Sequence, residues 1–239
     1  YFERFVGPDD HWLPPDHFQE DPRGTVAHRT SPTNVGLMLL SALSAYDLGY
    51  VGLMELSLRV NDAFDAMDQL ERYRGHFLNW YDTRSLDTLA PRYVSTVDSG
   101  NLAACLMVLR QGLERMGHQR VLRWRRWRGL CDTLGVLRKI VEGVEQTKEL
   151  REEAAAVAGQ IDHIQRTLLS VREDPERWVA VLPDLEEEVG AELHPRLQTL
   201  LDAGSGVLDT ATLRDLRLWS ERIHLHIRDV RQEVERIVP

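Results

Sequence analysis

The sequence predicts an all-α protein: part of an (α/α) toroid followed by an antiparallel bundle of long helices. Three observations carry this. The segments 31–49 and 98–117 are apolar on nearly every side, and the segment between them is amphipathic. Connections in the first half alternate between a few residues and about 20, against a usual length nearer five. The second half repeats apolar residues by threes and fours, as packed long helices do.

Ser31 followed by Pro32 reads as an N-cap and first helical residue, and Gly49 as the left-handed stop. Val35, Met38, Leu39, Ala42 and Leu43 leave this helix almost no polar face, so protein should surround it. From about Gly52 to Arg74, Leu53, Leu56, Val60, Phe64, Met67 and Leu70 form one stripe, while Arg59, Asp62, Asp65, Asp68 and Glu71 face away. A third helix starts at Asp98 or Ser99, is apolar all round from Leu102 to Leu109 and stops at Gly117. Buried, amphipathic, buried is the order of αα-hairpins in two concentric layers. The polar entrances "HRTSPTN" and "VSTVDSGN" then share one rim, at the N-termini of the inner helices. The connection 75–97 is long enough to be functional.

Beyond residue 117 the pattern speaks of packing. Leu130, Leu134, Leu137, Val141 and Val144 continue into Val157, Ile161, Ile164, Leu168 and Val171 with a slip near Leu150, which predicts one helix of about 40 residues over 131–172. Asp174-Pro175 caps a short helix, and Leu185, Val189, Leu193, Leu197 and Leu200 stripe another. Gly204 to Gly206 breaks the chain, and a last helix capped near Thr210 carries Ile223, Ile227, Val230, Val234 and Ile237. Two domains follow, 1–117 and 118–239. Composition divides there too: 13 of the 17 aromatic residues precede residue 105, where 8 basic side chains meet 15 acidic ones, against 21 and 23 afterwards.

The formal charge of −9 argues against nucleic acid or an anionic membrane surface as a partner. No apolar run approaches the ~20 residues needed to cross a bilayer. Cys105 and Cys131 lie in apolar helical sequence and read as two buried thiols in a reducing compartment. The opening "YFERFVGPDD" reads as a cut from a longer protein. His11, His17, His28 and His76 lack ligand spacing, so no metal and no cofactor is expected. His224 and His226 read as surface residues, and "RWRRWRGL" as a solvated helix face with two tryptophans turned inward.

The polar residues of the first half suit a carbohydrate, which offers C–H faces to flat rings and hydroxyls to amides, carboxylates and guanidinium groups. Trp12, Trp80 and Tyr81, with Tyr93, supply rings. Asp16, Gln19, Glu20, His28, Arg29, Thr30, Ser31, Thr33, Asn34, Asn79, Asp82, Arg84, Asp98, Ser99 and Asn101 supply the polar contacts. No carboxylate pair can be assigned to catalysis, because glycoside chemistry depends on a separation that sequence does not give. The competing reading is structural: these loops satisfy buried helix ends, and the long helices dock neighbouring domains. A stand-alone regulator acting through the second half would instead be a defined oligomer.

"WLPPDHFQE", "VAHRTSPTNVGLMLLSALSAYDLGYVG", "LERYRGHFLNWYDTRSLDTLAPRYVSTVDSGNLA" and "LCDTLGVLR" closely resemble the glucoamylase-like region of cyclic β-1,2-glucan synthases, over residues 1 to about 138. The resemblance implies a six-hairpin, glycosidase-like toroid, its first part followed by a helical insertion. It implies a parent enzyme of the bacterial inner membrane that extends a glucan from UDP-glucose and closes the ring by transglycosylation. The partners it implies are a β-1,2-glucan chain and other domains of the same polypeptide, on the cytoplasmic side. The family's catalytic carboxylates belong to later motifs that this sequence lacks, so the chain is expected to be inactive alone.

Overall fold

The computed structural model describes residues 1–237, which form two compact units: Tyr1–Tyr46 with Leu53–Arg120, and Asp47–Gly52 with the chain from Val121 onward. The protein is all-α, and its strands are two-residue pairings.

In the first unit a single helical turn, α1 (Phe2–Phe5), is pinned by stacking of Phe5 on Phe18, ring centroids 4.9 Å apart, and by the Tyr1 hydroxyl donating to the Pro15 carbonyl at 2.8 Å. Six short strands follow along the chain: β1 (Phe18–Gln19), β2 (Thr25–Val26), β3 (Arg29–Thr30), β4 (Arg72–Tyr73), β5 (His76–Phe77) and β6 (Tyr81–Asp82). They pair β1 with β2, β4 with β5, and β3 with β6, the last joining segments 50 residues apart through Arg29↔Asp82 and Thr30↔Tyr81. Helix α2 (Pro32–Leu48) begins where Ser31 Oγ accepts from the Asn34 N–H at 3.3 Å, and ends at Gly49 with φ +88°, as the sequence predicts.

Helix α3 spans Leu53–Gln69 and buries Leu56, Val60, Ala63 and Met67. It stops five residues before the predicted end, because Arg74 (φ 51°) and Gly75 (φ 86°) form a two-residue turn that folds β4 onto β5. The Arg72 guanidinium donates to the Met67 carbonyl (3.3 Å), occupying a free end of the helix.

Helix α4 (Thr96–Met116) is capped by Ser95 and not by Asp98 or Ser99. Ser95 Oγ accepts from the Asp98 N–H (3.2 Å), as an N-cap does, and donates to Asp98 Oδ2 (2.6 Å). Helices α2 and α4 lie side by side and run the same way: a Cβ at Gly36 would stand 3.0 Å from Cys105 Cβ, and one at Gly112 would stand 2.7 Å from Leu43 Cδ1. Glycine at both positions gives that approach its room. The expectation of an all-round buried α4 fails. Only Leu102, Cys105 and Leu109 of α4 are buried, whereas Val97 and Met107 are about 70% exposed, and Leu37 on α2 is 52% exposed. An apolar run marks every side of a helix alike, and the first unit covers only one side of this one.

In the second unit α5 (Trp124–Val144) and α6 (Arg151–Ser170) replace the predicted 40-residue helix. The chain turns at Thr147 through a 3₁₀ segment, Lys148–Leu150, and the halves fold on each other. A continuous helix would leave Leu134, Leu137 and Val141 without Val157, Ile161 and Ile164; the hairpin buries all six. A short α7 (Arg177–Ala180) precedes α8 (Leu182–Glu187), a π-helical turn (Glu188–Leu193) and α9 (His194–Gly204), which share the predicted leucine and valine stripe. Helix α10 (Thr210–Ile237) starts where Asp209 accepts from the Thr212 N–H (2.7 Å) and adds Leu216, Ile223, Ile227 and Val230 to the core; the Ile237 side chain lies outside the described residues.

Two residues read as exposed are buried here. His226, three residues beyond Ile223 on the apolar stripe of α10, donates from Nε2 to the Arg126 carbonyl (2.8 Å), and burial with the neighbouring Arg126 charge lowers its pKa to about 3. Arg126 faces Glu233 (3.6 Å) and donates to the Gly49 carbonyl (3.0 Å), so this arginine of "RWRRWRGL" is a core group and not a solvated one. Cys105 is buried and Cys131 half-buried, with burial and the Asp132 charge pushing the Cys131 thiol up to about 11. Among the described residues no helix is long and apolar enough to cross a membrane.

Candidate functional site

The register of β3 with β6 decides where the polar residues of the first unit meet. It sets Arg29 beside Asp82 and brings Trp80 within reach of Arg29, whose guanidinium carbon stands 4.5 Å from the indole centroid. On its other side Arg29 grips Asp16 Oδ2 through Nε (3.2 Å) and Nη2 (2.9 Å). Asp16 Oδ1 accepts from Asn34 Nδ2 (3.2 Å), in the first turn of α2, and Oδ2 lies 3.0 Å from His17 Nδ1. Burial raises the Asp16 pKa, and the bonds from Arg29, Asn34 and His17 outweigh it, so the carboxyl titrates below its ordinary value.

Trp80 continues the chain of contacts. With the Asn79 amide oriented as its neighbours require, the Asn79 oxygen accepts from Trp80 Nε1 (2.5 Å) and the Tyr93 hydroxyl (2.8 Å), and its nitrogen donates to Asp98 Oδ2 (3.0 Å). Asp98 also takes hydrogen bonds from Ser95, from the Thr33 and Ser31 hydroxyls and from the Thr33 N–H; these outweigh burial and hold its pKa low. One carboxylate in the first turn of α4 thus holds its own helix's capping serine and sits on the N-terminus of α2, where backbone N–H groups and the helix dipole favour it. Asn101 Nδ2 donates to Thr33 Oγ1 (3.1 Å), tying the same two helix ends together. Asp16, Arg29, Trp80, Asn79, Asp98, Ser31, Thr33, Asn34 and Asn101 therefore form one connected cluster, drawn from four stretches of sequence.

Beside it lies a second cluster. Asp10, 6% exposed, holds His28 Nδ1 at Oδ1 (2.7 Å), and the same oxygen accepts a short bond from the Thr83 hydroxyl. His28 Nε2 lies 2.6 Å from an Arg84 terminal nitrogen, and His11 Nδ1 donates to the Thr83 carbonyl (2.9 Å). Asp82 Oδ1 accepts from the N–H groups of Arg84 (2.8 Å) and Ser85 (2.9 Å); these bonds, the Ser85 one above all, hold its pKa below the ordinary value.

The remaining residues of the set stand apart. Tyr81 is 1% exposed, its hydroxyl donating to the Glu71 carbonyl and accepting from the Leu78 N–H, both at 2.6 Å, so it shapes the loop from inside. Thr30 is buried between the clusters, its hydroxyl unpaired, and Ser99 lies half-buried on α4 with its hydroxyl likewise unpaired. Among the described residues no bond of the network reaches Trp12, Gln19 or Glu20: Gln19 Nε2 donates to the Asp21 carbonyl (2.8 Å), and Trp12 and Glu20 are exposed. Asp10, Thr83 and Ser95 are site components that sequence reasoning missed. Ser95 was detectable, because Ser95-Thr-Val-Asp98 has the spacing of a capping box.

Chemically the rim offers ionised carboxylates, a guanidinium laid on an indole, amides and hydroxyls. Asp16, Asp82 and Asp98 are held below the ordinary carboxylate value, so they accept from hydroxyl groups and are not themselves poised to protonate a leaving group. Among the described residues no group of three or more His, Cys, Asp or Glu side chains could hold a metal ion.

No family model matches the chain. The cyclic beta-(1,2)-glucan synthase NdvB of Rhizobium meliloti (strain 1021) is 50% identical over 109 residues, 46% of this chain and 4% of that protein. The resemblance to cyclic β-1,2-glucan synthases is borne out, and the match spans a small fraction of that relative's length.

Proposed function

We propose that this chain is a portion of a cyclic β-1,2-glucan synthase and that its first unit lends the glucan a binding rim without the catalytic groups. The observation that carries the reading is the single cluster joining the N-termini of α2 and α4 to Trp80 and Arg29. An indole held at Nε1 by Asn79 and covered on one face by Arg29 is a preorganised platform for the C–H face of a glucose unit. Asp16, Asn34, Asp98 and Asn101 surround it with acceptors and donors for hydroxyls. The partners are a β-1,2-glucan chain and other domains of the parent polypeptide. The first unit is the opening part of a glucoamylase-like (α/α)6 toroid used for ring closure by transglycosylation, residues 118–239 are the bundle inserted in it, and both lie on the cytoplasmic side of the membrane.

The test is calorimetric titration of the 239-residue chain with linear β-1,2-glucan. Saturable binding is expected, weakened about tenfold by Arg29→Ala, together with no hydrolysis or cyclisation. Absence of binding, or turnover by this chain alone, overturns the proposal. In the structural alternative, where the polar loops only close helix ends, the glucan leaves no trace.

A further inference from the structure

We propose that Asp10 and His28 position Arg84 for the glucan, and that protonation of His28 releases it. The inference rests on the binding rim proposed above and adds a positioning relay and a pH dependence to it. Guanidinium groups only donate, so the 2.6 Å approach of Arg84 makes His28 Nε2 an acceptor. The ring is then neutral, its proton on Nδ1 and directed at Asp10 Oδ1, 2.7 Å away. Asp10 is fixed in turn by the Thr83 hydroxyl and by burial.

A clasp that merely held the loop would need nothing at Nε2. Instead Nε2 faces an exposed guanidinium whose only side-chain hydrogen bond, among the described residues, is this one, with the Asp82 carboxylate near enough to interact with it through charge. Arg84 rides on the tight turn that Asp82 Oδ1 closes by accepting from the Arg84 and Ser85 N–H groups, so its backbone is fixed as well. Four of its five N–H donors stay available to hydroxyl or ring oxygens. When a proton from solvent adds at His28 Nε2, that nitrogen becomes a donor and the ring a cation, and Arg84 loses both its acceptor and a neutral neighbour.

The groups around the ring are Asp10 from the turn at Pro8–Asp10, and Asp82, Thr83 and Arg84 from β6 and the loop after it. His11 stands behind on the Thr83 carbonyl. Asp10 and Asp82 are carboxylates that welcome the added proton, and Arg84 is the cation that must yield. His17 stands nearby on Asp16, so the variant His28→Gln carries the test: glutamine keeps a neutral donor and acceptor at every pH.

The experiment is nitrogen-15 NMR of the full chain, with and without linear β-1,2-glucan, from about pH 8 to about pH 5. The expected results are His28 protonated on Nδ1 at the upper end, His28 ring and Arg84 Nε resonances moving together on acidification, and glucan binding about fivefold weaker at the lower end. His28→Gln should remove the pH dependence, its affinity being the same at the upper and the lower pH. A proton found on Nε2, an Arg84 resonance indifferent to pH, or a pH dependence that survives His28→Gln overturns the proposal and leaves the rim standing. Joint titration with no glucan binding at any pH overturns the rim, and with it the glucan as what Arg84 is held for, while the His28–Arg84 coupling stands.

Discussion

The two units spend their apolar residues differently. In the second, the stripes of α5, α6, α9 and α10 close on one another until Leu134, Ile161, Leu200 and Ile223 are wholly buried. In the first, α2 and α4 pack through Gly36 and Gly112 and leave Leu37, Val97 and Met107 facing outward, while charged and polar side chains are drawn into a connected cluster at the helix starts. The lesson is that apolar content alone does not mark a core. Sequence periodicity identifies a stripe that needs a partner, and the partner decides whether the residue adds to stability or remains surface.

Mutation should expose that contrast most strongly in paired truncations. Ile161→Ala in the bundle should cost about 2–5 kcal/mol, whereas Met107→Ala on α4 should change stability by less than about 0.5 kcal/mol, both read from urea unfolding. Equal effects would erase the distinction between the units.

Acid sharpens it next. His226 has an ordinary value of 6.5 and a folded value of about 3, so below 6.5 protons bind the unfolded chain first and bundle stability falls as pH drops toward 3. The loss should reach roughly 3 kcal/mol by about pH 4, and His226→Gln should flatten it. The rim is indifferent over most of that range. Asp16 and Asp98 are depressed, so their contribution is present above the ordinary carboxylate value and disappears only as pH falls through their lower folded values.

The smallest expected effect belongs to the helix starts. Asp98→Ala should cost about 1–2 kcal/mol at neutral pH, and the gap from wild type should close in strong acid, where Asp98 itself is protonated. Thermal unfolding against pH checks both halves of that statement.

Much of this was legible beforehand, and the failures have identifiable causes. Ser31, Pro32 and Gly49 punctuate α2 because capping and left-handed backbone are local requirements. The stripes of the bundle were legible for the same reason, but a heptad pattern reads alike in a straight helix and in a hairpin, so the turn at Thr147 was lost. His226 reads as exposed only when paired with His224, two positions away; position 226 itself falls on the stripe of Ile223, Ile227 and Val230. Asp10 had no local mark at all: its partners His28 and Thr83 lie 18 and 73 residues away, and only the folded chain brings them together. The rim residues were recognisable as a chemistry, while their connection through Asn79 depended on strand register that no short motif specifies.

The distribution of tryptophan gives the central claim its most direct test, because Trp12 and Trp80 lie in the first unit and Trp124, Trp127, Trp178 and Trp219 in the second. Indole resonances followed during titration with linear β-1,2-glucan should show Trp80 shifting saturably while Trp127 and Trp178 stay still. Shifts confined to the bundle, or a Trp80 resonance unmoved at saturating glucan, would contradict the account.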